Sequence, residues 1–357
     1  MPEFAVTTPS ARYPVLVTRG AVLKLAEFFP ARSGRAFIVT TEDVWRLHAE
    51  RIERGMAGHA AHRIIFPGGE HNKRLAVIEH MAEEMMAHGG DRSSFVIAFG
   101  GGIVNDLGGF LAAVFLRGVP VIQVPTTLLA QVDAAVGGKT AVNLVSGKNL
   151  VGAFHQPRAV LIDPEVLRTL PQREYRAGLF EVIKCGIIRS ASLFHLLETK
   201  SHDVLAMEPD TLEEVIAESV RIKCEVVSED EKESDLRRIL NFGHTIGHAL
   251  EAETRYTHFL HGEAVALGMK AATELARLLG MLDAGESRRI RTMIDAYGPV
   301  PGLNGVTPES LLPRLAKDKK TIQGSVHFVL PTRVGEVRVV SGIEDRLVLE
   351  AMRSAWF

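Results

Sequence analysis

With 357 residues, 46% of them apolar, the chain can bury a large core and is long enough for two domains. Forty-one basic residues balance 43 acidic ones. That argues against nucleic acid or a membrane surface as a partner held by bulk charge, while leaving room for a local basic pocket. Cys185 and Cys224 are too few for a disulfide framework and fit a reducing cytoplasm. Residues 1–14 lack the order of a signal peptide, and the apolar run Leu107–Leu116 is too short to span a bilayer.

In chain order, Ala21–Phe29 has helical spacing, Ala36–Thr40 reads as a buried strand and Glu42–Arg54 as a helix. Arg63–Phe66 reads as a strand, Arg74–His88 as a helix, Phe95–Phe99 as a strand, Ile103–Phe115 as a helix and Val119–Val124 as a strand. Such alternation predicts a Rossmann-like parallel sheet covered by helices, over residues 1–170. Beyond Pro171 long amphipathic patterns take over, at Glu174–Ile188, Thr211–Val227 and His261–Leu279. Val326–Leu330 and Glu336–Val340 suit a small hairpin around Gly335. The expected fold is therefore α/β, with an N-terminal nucleotide-binding domain and a mainly helical metal- and substrate-binding domain over 171–357. The cleft between the two is where a site is expected.

Phe95–Phe99 runs directly into Gly100-Gly101-Gly102, followed by a helix with Asp106 in its first turns. Glycines after a strand let backbone amides approach a pyrophosphate, and a helix N-terminus favours its charge. The spacing is not the usual G-x-G-x-x-G, and Asp106 also suits a plain helix-end charge. Pro67-Gly68-Gly69-Glu70 with Lys73 forms a second turn after a strand, which by itself is an ordinary surface turn.

His244 and His248, four apart, share a helical face; His258 and His261 follow, and Glu181 lies upstream. Two histidines and a carboxylate make a common catalytic zinc set, although spacing cannot choose among four histidines. Arg237, Asn241, His244 and His248 recur at intervals of four, three and four, so one helical face is expected to carry a polar line toward a cleft. Lys223 interrupts the apolar stripe of Thr211–Val227 and must either reach solvent or meet an anion. With Lys139, Lys148, Asn149, Lys184 and Arg237 it would make a positive pocket suited to phosphate and carboxylate.

The glycine turn, Arg117-Gly118, Pro125–Asp133, Gly137–Thr140, Gly147–Leu150, Glu181–Lys184, Leu240–His244, His261–Glu263 and Asp318–Lys320 together resemble the dehydroquinate synthase family in order and spacing. The resemblance is dense over residues 65–331. It implies zinc ligands Glu181, His244 and His261, with cobalt an alternative metal, and His248 as a substrate or proton-transfer residue. It implies substrate contacts from Lys139, Asn149, Lys184, Lys223, Arg237, Asn241 and Lys319, with Asp133 near the reacting centre. Arg117 is implied to cross a homodimer interface into the partner's site. Glu70, Lys73, Gly101, Gly102, Asp106, Thr126, Thr127, Lys148 and Thr169 match NAD-binding positions. Where the family usually carries an Asp and, two residues on, an Asn for the adenosine ribose, this chain has Thr41 and Asp43; an acid at Asp43 favours NAD over NADP.

The implied activity, a step of the shikimate pathway of aromatic amino acid biosynthesis, converts 3-deoxy-D-arabino-heptulosonate 7-phosphate to 3-dehydroquinate. The order is transient oxidation by NAD, phosphate elimination, re-reduction, ring opening and aldol closure. A different sugar phosphate cyclase, a glycerol dehydrogenase-type alcohol dehydrogenase and a non-catalytic nucleotide-binding protein are the alternatives. Phosphate release, net NADH, or neither would tell them apart.

Overall fold

The computed structural model describes residues 3–318 and 326–356. In chain order the elements begin with strands β1 (Glu3–Thr7) and β2 (Arg12–Val17), a 3-10 helix at Ala21–Phe28, β3 (Ala36–Thr41) and α1 (Glu42–Gly55). They continue with β4 (Ala61–Phe66), α2 (Leu75–Ala87), β5 (Phe95–Gly100), α3 (Gly102–Val114), β6 (Val121–Pro125), β7 (Lys139–Leu144), β8 (Gly147–Phe154) and β9 (Ala159–Ile162). Then come α4 (Gln172–Arg189), α5 (Ala191–Thr199), α6 (Ser201–Leu205), α7 (Pro209–Glu229), α8 (His244–Glu253), α9 (His261–Leu278), α10 (Ala284–Ala296) and α11 (Pro308–Asp318). A hairpin of β10 (His327–Arg333) and β11 (Glu336–Ser341) precedes α12 (Asp345–Trp356). Among the described residues no helix is long and apolar enough to cross a membrane.

Two compact units emerge from the packing: Met1–Pro171 with Leu212–Lys232, and Gln172–Thr211 with Glu233–Phe357. The first holds a seven-stranded sheet in the order β1-β2-β9-β6-β5-β3-β4, parallel except for β1 against β2. Buried on both faces, its strands alternate their side chains between two cores. Phe95, Ile97 and Phe99 of β5 join one with the 3-10 helix and α1, while Val96 and Ala98 join the other with α2 and α3. Each fully buried large apolar side chain contributes about 1.5–3 kcal/mol. From β3 the chain passes to β4 on one side and then to β5 on the other. Open α/β sheets bind ligands beyond the strand ends at such a reversal, and here those ends are Thr41 and the glycine turn.

The second unit is built around α9, which is buried along most of its length and packs on α4, α8, α10, α12 and β10. Gly335 turns the β10–β11 hairpin with φ 88°. Both cysteines are buried, and burial pushes the Cys224 thiol up to about 12. Neither is expected to react with a thiol-specific dye at neutral pH until the protein unfolds. Rapid labelling of the native chain would contradict that.

Candidate active site

In the first unit the glycine turn leads into α3, whose first turn takes no side-chain cap at Gly101, leaving its amides for a ligand. A Cβ on Gly101 would come within 3.0 Å of Thr127 Cγ2, so the turn lies hard against the end of β6. Thr126 donates its amide to the Gly100 carbonyl at 2.9 Å, and the Thr127 hydroxyl accepts from the Ala130 amide at 3.2 Å.

Beside the turn, Lys73 is 3% exposed; its ammonium donates to Asp106 Oδ2 at 2.5 Å and to Asn149 Oδ1 at 2.6 Å. Burial holds the Asp106 carboxyl above its ordinary value, and Lys73 offsets only part of that rise. Asn149 takes a left-handed backbone, φ 54°, and Lys148 lies 3.9 Å from Glu70 Oε2. Asp43 is exposed in the first turn of α1, Lys139 is exposed at the start of β7, and the Thr169 hydroxyl shares a 2.9 Å hydrogen bond with His48 Nε2.

Lys223, buried on α7, meets an anion: its ammonium pairs directly with Asp133, which sits in a π-helical turn, Ala130–Ala134. Arg117 is exposed with φ 71°, beyond exposed Val114 and Leu116.

The second unit gathers Glu181 on α4, His244 on α8 and His261 on α9. Both histidine Nε2 atoms face Glu181 Oε1, at 3.7 and 3.8 Å. Their Nδ1 atoms are tied off, His244 to the Phe242 carbonyl at 3.1 Å and His261 to Glu251 Oε2 at 3.2 Å. Because a carbonyl and a carboxylate accept, each Nδ1 carries the proton and each Nε2 presents its lone pair inward. Glu181 is 1% exposed and, among the described residues, neither of its oxygens accepts a properly oriented hydrogen bond, though Oε2 is in ionic contact with buried Lys184. Metal–ligand bonds of about 2.0–2.1 Å put tetrahedral ligands about 3.3–3.4 Å apart. The observed spacing is a few tenths of an ångström wider and fits a metal between the three. Candidate ligand atoms of His244, His248 and His261 lie within 4.8 Å of one another, His248 being the exposed member.

Close backbone approach builds this cluster. Gly262, next to His261, sits where a Cβ would be 1.9 Å from the Ala177 carbonyl oxygen of α4, one helical turn before Glu181. Arg173 clamps the same junction, donating to both Glu263 oxygens at 2.7 and 2.8 Å while Glu263 accepts the Leu260 amide.

Residues 63–177 match the family described as 3-dehydroquinate synthase N-terminal, and residues 178–321 match 3-dehydroquinate synthase C-terminal. A 3-dehydroquinate synthase from Solibacter usitatus is 59% identical, covering 99% of each chain. The chain belongs to the 3-dehydroquinate synthase family. Among solved structures, 2-epi-5-epi-valiolone synthase from Streptomyces hygroscopicus subsp. jinggangensis, with NAD+ and Zn2+ bound, superposes with a TM-score of 0.86 at 30% identity, covering 96% of each chain. A 2-deoxy-scyllo-inosose synthase complexed with carbaglucose-6-phosphate, NAD+ and Co2+ gives 0.89 at 27% identity, covering 99% of each.

One expectation drawn from residue spacing is corrected. Arg237, Asn241, His244 and His248 do not lie on one continuous helical face. A 3-10 helix, Leu236–Asn241, ends at Phe242, Gly243 reverses the chain with φ 79°, and α8 starts only at His244. A Cβ on Gly243 would be 2.5 Å from Met269 Cγ, so the break brings α8 against α9. His258 lies outside the cluster, its Nε2 hydrogen-bonding the Gly302 carbonyl at 2.7 Å. Arg237 is 1% exposed. Lys319 lies outside the described residues.

Sequence reading missed Glu251, Glu233 and Asn143. Glu233 has φ 60° and accepts from Asn241 Nδ2 at 2.7 Å. The only sequence signal for Glu251 was an acid one turn beyond His248 and ten residues before His261.

Proposed function

We infer that this chain catalyses the 3-dehydroquinate synthase reaction of the shikimate pathway: 3-deoxy-D-arabino-heptulosonate 7-phosphate gives 3-dehydroquinate and inorganic phosphate. Full-length membership of the family carries the reading, and a buried carboxylate facing two oriented imidazole lone pairs agrees with it. Glu181, His244 and His261 hold zinc, with cobalt as a substitute, and the glycine turn with Glu70, Lys73, Asp106, Thr126, Thr127, Lys148, Thr169 and Asp43 holds NAD. When bound, zinc supplies Lewis-acid polarisation of substrate hydroxyls and NAD supplies a reversible oxidation, so the net reaction is redox-neutral.

The chain's own residues do the rest. Lys184 pairs with Glu181 and fixes its orientation. Exposed His248, beside the ligand pair, carries protons. Lys139, Lys223, Arg237, Asn149, Asn241 and Lys319 take up the substrate's carboxylate and phosphate and stabilise the charge that develops as the C–O bond to phosphate breaks. Asp133 orients Lys223. We place Arg117 across a homodimer interface, in keeping with its exposed left-handed turn beside Val114 and Leu116, and we place the enzyme in the cytoplasm, in keeping with its two buried thiols.

Competition among substrates tests the assignment. Zinc-loaded enzyme with NAD should release phosphate from the heptulosonate phosphate far faster than from sugar phosphates that lack a carboxylate, and should not oxidise glycerol. Preference for a carboxylate-free sugar phosphate would transfer the chain to another cyclase activity. Net NADH from a polyol would make it a dehydrogenase.

Glu251 offers a separate test of the metal site. Outer partners of ligating histidines are worth about 10–100-fold in metal affinity. Glu251→Ala should therefore weaken zinc binding by that factor in a chelator competition while the apo protein melts as before. Unchanged zinc affinity would contradict the ligand role of His261.

A further inference from the structure

Asn143 ties together three segments that carry separate parts of the site. It sits at an irregularity in the β7–β8 pairing, between Val142 and Leu144, and is 7% exposed. Its amide donates to the Lys73 carbonyl at 2.8 Å, and its backbone bridges Arg74 in parallel. The side-chain nitrogen donates to Glu70 Oε1 at 2.7 Å and to the Glu70 carbonyl at 3.2 Å. Its side-chain oxygen accepts the Asn149 amide at 2.9 Å. A ring then closes, because Asn149 Oδ1 accepts from Lys73 Nζ at 2.6 Å and Lys73 follows Glu70 in the same turn.

We propose that Asn143 is a positioning residue for cofactor binding: one carboxamide holds the Glu70 carboxylate and the Asn149 backbone so that Glu70, Lys73 and Asn149 are presented as a preformed unit. This rests on the reading of Glu70 and Lys73 as NAD contacts. The chemistry requires a donor at one end, for a carboxylate, and an acceptor at the other, for an N–H; a carboxamide supplies both. Without that donor, Glu70 can swing toward Lys148, whose ammonium is 3.9 Å from its other oxygen. Asn149, held left-handed at φ 54°, loses the acceptor that fixes its amide. NAD must then order these groups as it binds, and the cost falls on affinity.

The test is NAD+ titration of the zinc-loaded full chain by calorimetry, for the native protein, Asn143→Ala, Glu70→Ala and the double variant. A hydrogen bond to a charged group is worth roughly tenfold or more in binding. Asn143→Ala should raise the NAD+ Kd about tenfold or more, with zinc content and zinc affinity intact. Adding Asn143→Ala to Glu70→Ala should cost much less than it does alone, because the two act through one contact. Asn143→Ser, small enough for the bulge and too short to reach Glu70, is the second variant if alanine does not fold. Native NAD+ affinity in these variants, or losses that multiply in the double variant, would overturn the proposal. No NAD+ binding by the native protein would instead overturn the cofactor reading, and the proposal with it.

Discussion

Glu181→Gln is expected to lose zinc and to lower the rate by a thousandfold or more. Its carboxylate is buried, faces both Nε2 lone pairs and, among the described residues, accepts no properly oriented hydrogen bond. An amide of the same shape removes the anionic ligand and can turn an N–H₂ toward the histidines. Metal polarisation of an oxygen is worth several kcal/mol, and each 1.4 kcal/mol or so is a tenfold change in rate, which sets the size of the loss. Elemental analysis of the purified variant and phosphate release check both halves. A variant with a full complement of zinc and near-native turnover would remove Glu181 from the site.

Gly262→Val is expected to be among the most damaging single substitutions away from the ligands themselves. The new Cβ would sit 1.9 Å from the Ala177 carbonyl oxygen and 2.6 Å from its carbon, both backbone atoms that cannot swing aside. Helix α9 must move away from α4, taking His261 from Glu181. Overpacking of this kind costs about 1–3 kcal/mol, and more where main chain is the obstacle. Thermal melting should fall by several degrees, and zinc should be lost even at temperatures where the helices persist by circular dichroism. A variant that melts lower but keeps native zinc affinity would show that the α4–α9 contact stabilises the fold without setting the site.

Much of the parallel sheet was legible because strands buried on both faces, such as Phe95–Gly100, are continuous apolar runs ending in glycine. The hairpin of β7 and β8 was not. Strand β8 has only intermediate and exposed positions, and its residues read first as lysine and glycine motifs. The polar line from Arg237 to His248 has helical intervals, but a single left-handed glycine breaks it, and interval counting cannot see a φ angle. Spacing left four histidines open. Tertiary packing brings His244, His248 and His261 together on α8 and α9, with His244 and His261 facing Glu181, and turns His258 toward Gly302. The supporting residues were the least visible: Asn143 and Glu251 carry no motif of their own and acquire a role only through the partners that folding brings against them.

In a redox-neutral cyclisation the cofactor is regenerated at each turnover. The most direct test of that regeneration counts phosphate released from 3-deoxy-D-arabino-heptulosonate 7-phosphate by zinc-loaded enzyme with NAD+ in much less than stoichiometric amount, while the absorbance of NADH is followed. Phosphate is expected in large excess over NAD+, matched one to one by 3-dehydroquinate, with no accumulating NADH. NADH rising in step with product, or no phosphate from folded, metal-loaded protein, would contradict it.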